Sequence, residues 1–183
     1  MSNPSLPDHR TADTSIAVWA ALFAALVASL GSLWLTLGME LKACPLCLYQ
    51  RASVFAVAAV LAIGVLMRER GEAGVCLAAL PAAVAGLGVG IFHNYLEYSG
   101  KLVCPKGIAG IGTAPQQALV AQAIVTLLLL VGGRRRIVVG LTALVIGGVM
   151  AGLLIQSAPP LPEPKPIKKL DMCVPPYKAP EGQ

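Results

Sequence analysis

Apolar residues fall in long blocks along this chain, with short polar links between them, rather than at every second position or on one face of a helical repeat. The blocks cover residues 16–38, 52–67, 74–95, 114–133 and 137–156. A helix that crosses a bilayer needs roughly 20 apolar residues, because the hydrocarbon layer is about 30 Å deep and the helix rises 1.5 Å per residue. The second block is short for this. A helix that starts near Leu46 brings it to full length, over 46–67, and puts Arg51 in the interface. Lipid offers no partner to exposed N–H and C=O groups, so open sheets are excluded. The pattern predicts an all-α integral membrane protein, one transmembrane helical-bundle domain over residues 1–156, followed by a tail over 157–183.

The first block is too long for the 7–15-residue apolar core of a secretory signal, and "LGMELKAC" after it lacks an A-x-A cleavage pattern. It is expected to remain as a span. "LKAC" is a poor lipoprotein signal for the same reason of length.

Composition supports the membrane reading. Hydrophobic residues make up 56% of the 183, and charged residues only 13%, against about 25% in soluble domains. The chain holds no phosphate-binding glycine loop, no internal repeat and no nucleic-acid motif. The net charge of +5 is therefore membrane topology plus a basic tail.

Arginine placement orients the spans. Arg68 and Arg70 crowd the link between the second and third, and Arg134, Arg135 and Arg136 form the link between the fourth and fifth. Short arginine-dense turns favour the cytoplasm. The other links carry Lys42, Arg51, Lys101 and Lys106 over longer segments. The N-terminus is then cytoplasmic and the C-terminus outside. Cys44, Cys47, Cys104 and Cys173 share the outer, oxidising side, and Cys76 lies near the cytoplasmic face. The tail "APPLPEPKPIKKLDMCVPPYKAP" is too rich in proline for a helix and reads as an extended strap. Its four lysines suit acidic lipid heads or plain solvation.

"CPLC", Cys44 to Cys47, has three common readings. Half a zinc site needs two more ligands nearby, and the sequence offers no second C-x-x-C and only two histidines. Haem attachment needs a histidine next, where Leu48 stands. A redox dithiol needs only a means of lowering one thiol's pKa. The unpaired N–H groups of a helix start, with Arg51 one turn on, supply it.

"CPLCLYQR" resembles the signature of the DsbB disulfide bond formation family, bacterial inner-membrane enzymes that reoxidise a periplasmic thiol oxidase and pass the electrons to quinone. In that family a C-x-x-C, an aromatic and an arginine open the second helix, as Cys44, Cys47, Tyr49 and Arg51 do here. "FHNYLEYSGKLVC" supplies His93 and Cys104 at a similar spacing to the family's histidine and third cysteine. The resemblance covers about 16–133. It implies a four-helix bundle, here with a fifth helix added, and a ubiquinone or menaquinone site at its outer edge. By match, Cys104 would form the mixed disulfide with a DsbA-like oxidase, and Cys44 and Cys47 would exchange electrons with the quinone. Cys47 would be the thiolate facing the ring, with Arg51 and His93 contributing to quinone binding.

One departure bears on the relay. The family's fourth cysteine usually shares a loop with the third, but residues 96–113 hold only Cys104. Either Cys173 has taken its place from the tail, or the second pair is broken. No other outer thiol is unassigned, so a Cys104–Cys173 disulfide is expected, and the 17 residues after Gln156 reach about 50 Å at the polyproline rise. The rival expectations are a vitamin K epoxide reductase-like enzyme, a metal transporter or chaperone with Cys and Met ligands, and an anchor with static disulfides.

Overall fold

A computed structural model of the protein describes residues 9–67, 72–160 and 170–177. Five helices follow in chain order: α1 (His9–Leu37), α2 (Pro45–Met67), α3 (Glu72–Tyr98), α4 (Ala114–Gly133) and α5 (Ile137–Gln156), with a 3-10 turn at Ile108–Gly110. Each contains a stretch long and apolar enough to cross a membrane. Among the described residues the only β pairing is two isolated bridges. The arginines expected to fix orientation at 68 and 70, and the tail lysines Lys165, Lys168, Lys169 and Lys178, lie outside the described residues.

The helices start and stop where local chemistry directs. α2 begins at Pro45, one residue before the expected start, because proline lacks only an N–H that the first helical position leaves unused. α3 runs to Tyr98 and ends on Gly100, whose φ of 70° allows the chain to turn back. The N–H groups of Lys101 and Leu102 then donate to Leu96 O at 2.9 and 3.2 Å. At the start of α4, Gln116 Oε1 accepts from the Thr113 N–H at 3.2 Å, while the Thr113 hydroxyl donates to Glu97 on α3 at 2.9 Å.

α3 sits at the centre, packed against α2, α4 and α5, and α1 closes the bundle against α4 and α2. Burying leucine against leucine gains little where the alternative is lipid, so close approach of helices has to come from small side chains and polar links. Both are present. Gln122 on α4 donates to Ser53 Oγ on α2 at 2.9 Å and to Ala83 O on α3 at 3.2 Å. Gly86 makes room for this link, since a β-carbon there would collide with both Ser53 and Gln122.

The same applies to α5, where spacing alone picks the wrong glycines. Gly148 and Gly152 have the spacing of a close-packing pair, but nothing lies within 4 Å of where their β-carbons would be. The buried face is Ala143, Gly147 and Ala151. A β-carbon on Gly147 would stand 2.8 Å from Pro81 O and 2.6 Å from Val84 Cβ. The packing stripe is rotated by one residue, about 100° around the helix.

Candidate active site

The end of the bundle where α2 and α4 begin and α1 and α3 finish collects four of the five cysteines. Cys44 caps α2: its Sγ accepts the backbone N–H of Cys47 at 3.2 Å, and its carbonyl accepts from Leu48 at 3.0 Å. The two sulfurs are 2.7 Å apart. A hydrogen bond donated by Cys47 draws the Cys44 thiol below its ordinary 9.0 to about 5. Burial opposes that shift and His93 assists it. The sequence pointed to Cys47 as the favoured thiolate. The helix N–H reaches Cys44 instead, because Pro45 occupies the first helical position and Cys44 is left as the cap.

Arg51, one turn beyond Cys47 in α2, is held by α1. Its Nε donates to Ser32 Oγ at 2.7 Å, and one terminal nitrogen donates to Ser32 O at 2.9 Å and Thr36 Oγ1 at 2.6 Å. All three acceptors are neutral, so the positive charge is positioned without being cancelled. Beside it lies a cavity of about 280 Å³ between α1, α2 and α4. Cys47, Gln50, Arg51, Gln122 and Cys173 border it, and apolar side chains such as Val27, Leu35 and Val54 form much of the remaining wall. Gln50 is buried, and its Nε2 has no hydrogen-bond partner among the described residues. A small apolar cavity with a fixed cation and an unused amide donor fits a flat ring that carries carbonyl oxygens, and its volume is near the lower end, about 300 Å³, for small-molecule sites. Those residues therefore suit a quinone head group.

His93 takes a different place from the one expected. It is fully buried and does not border the cavity. Its Nε2 lies 3.8 Å from Cys44 Sγ and 3.7 Å from Cys104 Sγ, between the two cysteine pairs. Its Nδ1 has no partner among the described residues.

Cys104 and Cys173 form a disulfide across 69 residues. Residues 170–177 of the tail lie against the helix ends there. Val103 and Val174 exchange backbone hydrogen bonds of 2.8 and 3.1 Å, and the Lys42 N–H donates to Asp171 O at 2.8 Å. The Lys42 ammonium also pairs with the Asp171 carboxylate at 2.8 Å. That hydrogen bond and its charge hold the lysine above its usual value. Cys76 is buried at the other end, against Gly132, and takes no part in the site.

Ser32, Thr36 and Gln50 went unremarked in the sequence. Ser32 and Thr36 were findable: two hydroxyl residues four apart, within an apolar block, share one helix face. Gln50 carried no signal of its own beyond standing next to Arg51.

The family model described as Disulfide bond formation protein DsbB matches residues 14–123. A probable disulfide formation protein of Deinococcus radiodurans is 38% identical over 77 residues, which is 42% of this chain and 48% of the relative. One of Coxiella burnetii (strain CbuK_Q154) is 34% identical over 98 residues, 54% of this chain and 63% of the relative. The chain thus spans between about half and two-thirds of the curated relatives it matches. No solved structure matches.

Proposed function

We propose that this multi-pass membrane chain, which belongs to the DsbB disulfide bond formation family, takes electrons from the dithiol of a DsbA-like oxidase and delivers them to a quinone beside Cys47 and Arg51. One observation carries the reading. A disulfide, an imidazole, a C-x-x-C pair and a cavity follow one another at or near contact distance, with the sulfurs of Cys44, Cys47, Cys104 and Cys173 at one end of the bundle. In this reading residues 1–156 act as one bundle domain and the tail contributes a catalytic cysteine. The cysteine end faces the periplasm, across the bacterial inner membrane.

The thiol steps balance as exchanges. A partner thiolate attacks Cys104, and Cys173 leaves. The partner's second thiol resolves the mixed disulfide, so the partner is oxidised and the Cys104–Cys173 pair is reduced. Cys173 then attacks Cys44 of an oxidised Cys44–Cys47 pair, and Cys47 leaves. Attack by Cys104 on Cys173 restores the first disulfide and expels Cys44 as a thiolate, which its cap position stabilises. His93, between the pairs, accepts and returns the protons that these exchanges displace. A bound quinone, ubiquinone or menaquinone, supplies the acceptor for two electrons and two protons. Arg51 and Gln50 would bind and orient it, and the apolar wall would keep water from Cys47.

The test is reoxidation of a reduced DsbA-like oxidase by the purified full-length chain in detergent, followed through quinone absorbance. Turnover that depends on quinone and is lost in both Cys47→Ser and Cys104→Ser is expected. Quinone reduction that survives either substitution overturns the relay.

A further inference from the structure

Four potential ligand atoms converge here closely enough to share one metal ion. The sulfurs of Cys44, Cys47 and Cys173 and a ring nitrogen of His93 all lie within 4.8 Å of one another, three of the four residues being buried. The ligands missing from the linear pattern come from distant parts of the chain: 49 residues separate Cys44 from His93, and Cys173 arrives on the tail.

We propose that the fully reduced chain binds one zinc ion, or a similar thiophilic cation, through Cys44, Cys47, Cys173 and His93. Zinc takes sulfur at about 2.3 Å and imidazole nitrogen at about 2.0–2.1 Å in a tetrahedron, which sets neighbouring ligand atoms roughly 3.5–3.8 Å apart. Cys44 Sγ and His93 Nε2 already stand 3.8 Å apart. Cys44 and Cys47, at 2.7 Å, have to part by about 1 Å, which one side-chain rotation supplies. The donor set of three soft thiolates and one imidazole selects zinc over hard cations such as magnesium or calcium.

The site is gated by oxidation state. While Cys173 is bonded to Cys104 its sulfur is no thiolate, and the fourth ligand is withheld. Reduction of that disulfide frees it. Binding near neutral pH then displaces two protons, from the thiols of Cys47 and Cys173, because Cys44 is already a thiolate, while His93 coordinates in its neutral form. No electrons move. An ion held there occupies three sulfurs, and exchange through them stops until it leaves. Cys104 lies outside the group of four, so its only part is to hold or release Cys173.

This proposal stands without the quinone reading, and its test needs no turnover. Full-length protein in detergent is reduced with a phosphine, freed of excess reductant, and titrated with cobalt(II) as a coloured substitute, then with zinc. One equivalent of tetrahedral cobalt with strong thiolate charge-transfer absorbance is expected, displaced by zinc, and none in the fully oxidised chain. Cys173→Ser should weaken binding at least about tenfold and lower the charge-transfer band by about a third, one thiolate of three being lost. Cys104→Ser keeps Cys173 permanently available, so it should bind like the reduced chain once only Cys44 and Cys47 are reduced. If Cys173→Ser binds cobalt as tightly and with the same spectrum as the parent, or the reduced parent takes up none, the proposal fails.

Discussion

The backbone N–H of Cys47 donates to the sulfur of Cys44 at 3.2 Å, so the two members of the C-x-x-C pair have unequal positions: one caps the helix and the other lines its first turn. Only the second borders the cavity. The sulfur best stabilised as a thiolate and the sulfur that borders the cavity are therefore different residues.

A titration follows from the cap. Cys44 is lowered from 9.0 to about 5. The folded state then holds a thiolate where the unfolded chain holds a thiol, and the stabilisation is fully present above about pH 9 and is lost as pH falls through about 5. Ultraviolet thiolate absorbance of the reduced protein should persist down to about that pH. In Cys47→Ala, which removes the principal hydrogen-bond donor, the midpoint should move upward. An unmoved midpoint would mean that the pair does not share a proton.

Arg51→Leu should raise the quinone KM by about 10- to 100-fold, from loss of a charged hydrogen-bond donor worth roughly 1.5–3 kcal/mol. Arg51→Lys should recover only part of it, because an ammonium cannot reproduce the planar fork held by Ser32 and Thr36. Steady-state kinetics at varied quinone decides. An unchanged KM in Arg51→Leu reduces the arginine to a headgroup anchor.

His93→Gln separates two roles. A residue that binds quinone changes its KM, whereas a residue set between Cys44 and Cys104 slows transfer between the pairs. We expect rapid-quench alkylation to show reduced Cys104 and Cys173 accumulating, at an unaltered quinone KM. A raised KM with normal exchange would return the histidine to the quinone.

On α5 two adjacent glycines should behave differently. Gly147→Val drives a side chain into Pro81 and Val84 and should destabilise the bundle by about 1–3 kcal/mol. Gly148→Val meets open space and should be nearly neutral. Thermal unfolding in detergent compares them, and equal effects would contradict the observed rotation of the helix.

How much of this could be read from the sequence follows from the range of each constraint. The spans were legible because bilayer thickness acts on every residue of a block. Cys44, Cys47 and Arg51 were legible because their chemistry lies within two turns of one helix. The joining of Cys104 to Cys173 could be argued by counting thiols on one side. Which cysteine caps α2 could not, since it depends on a start placed to within one residue. The choice between Gly147 and Gly148 depends on the rotation of α5, which an almost uniformly apolar helix does not encode. The position of His93 between two pairs is set by how α3 meets α2 and the loop after it, and no local spacing carries that.

The disulfide between Cys104 and Cys173 closes a covalent ring that contains the whole of α4 and α5. In the chain-entropy account, a closure over 69 residues restrains the unfolded chain by about 4 kcal/mol. If this bond is also the one that the partner reduces, each catalytic cycle opens and recloses the ring. The fifth helix and the tail would then be fastened by electrons in transit, and a cell short of oxidant would hold this protein in its least constrained form.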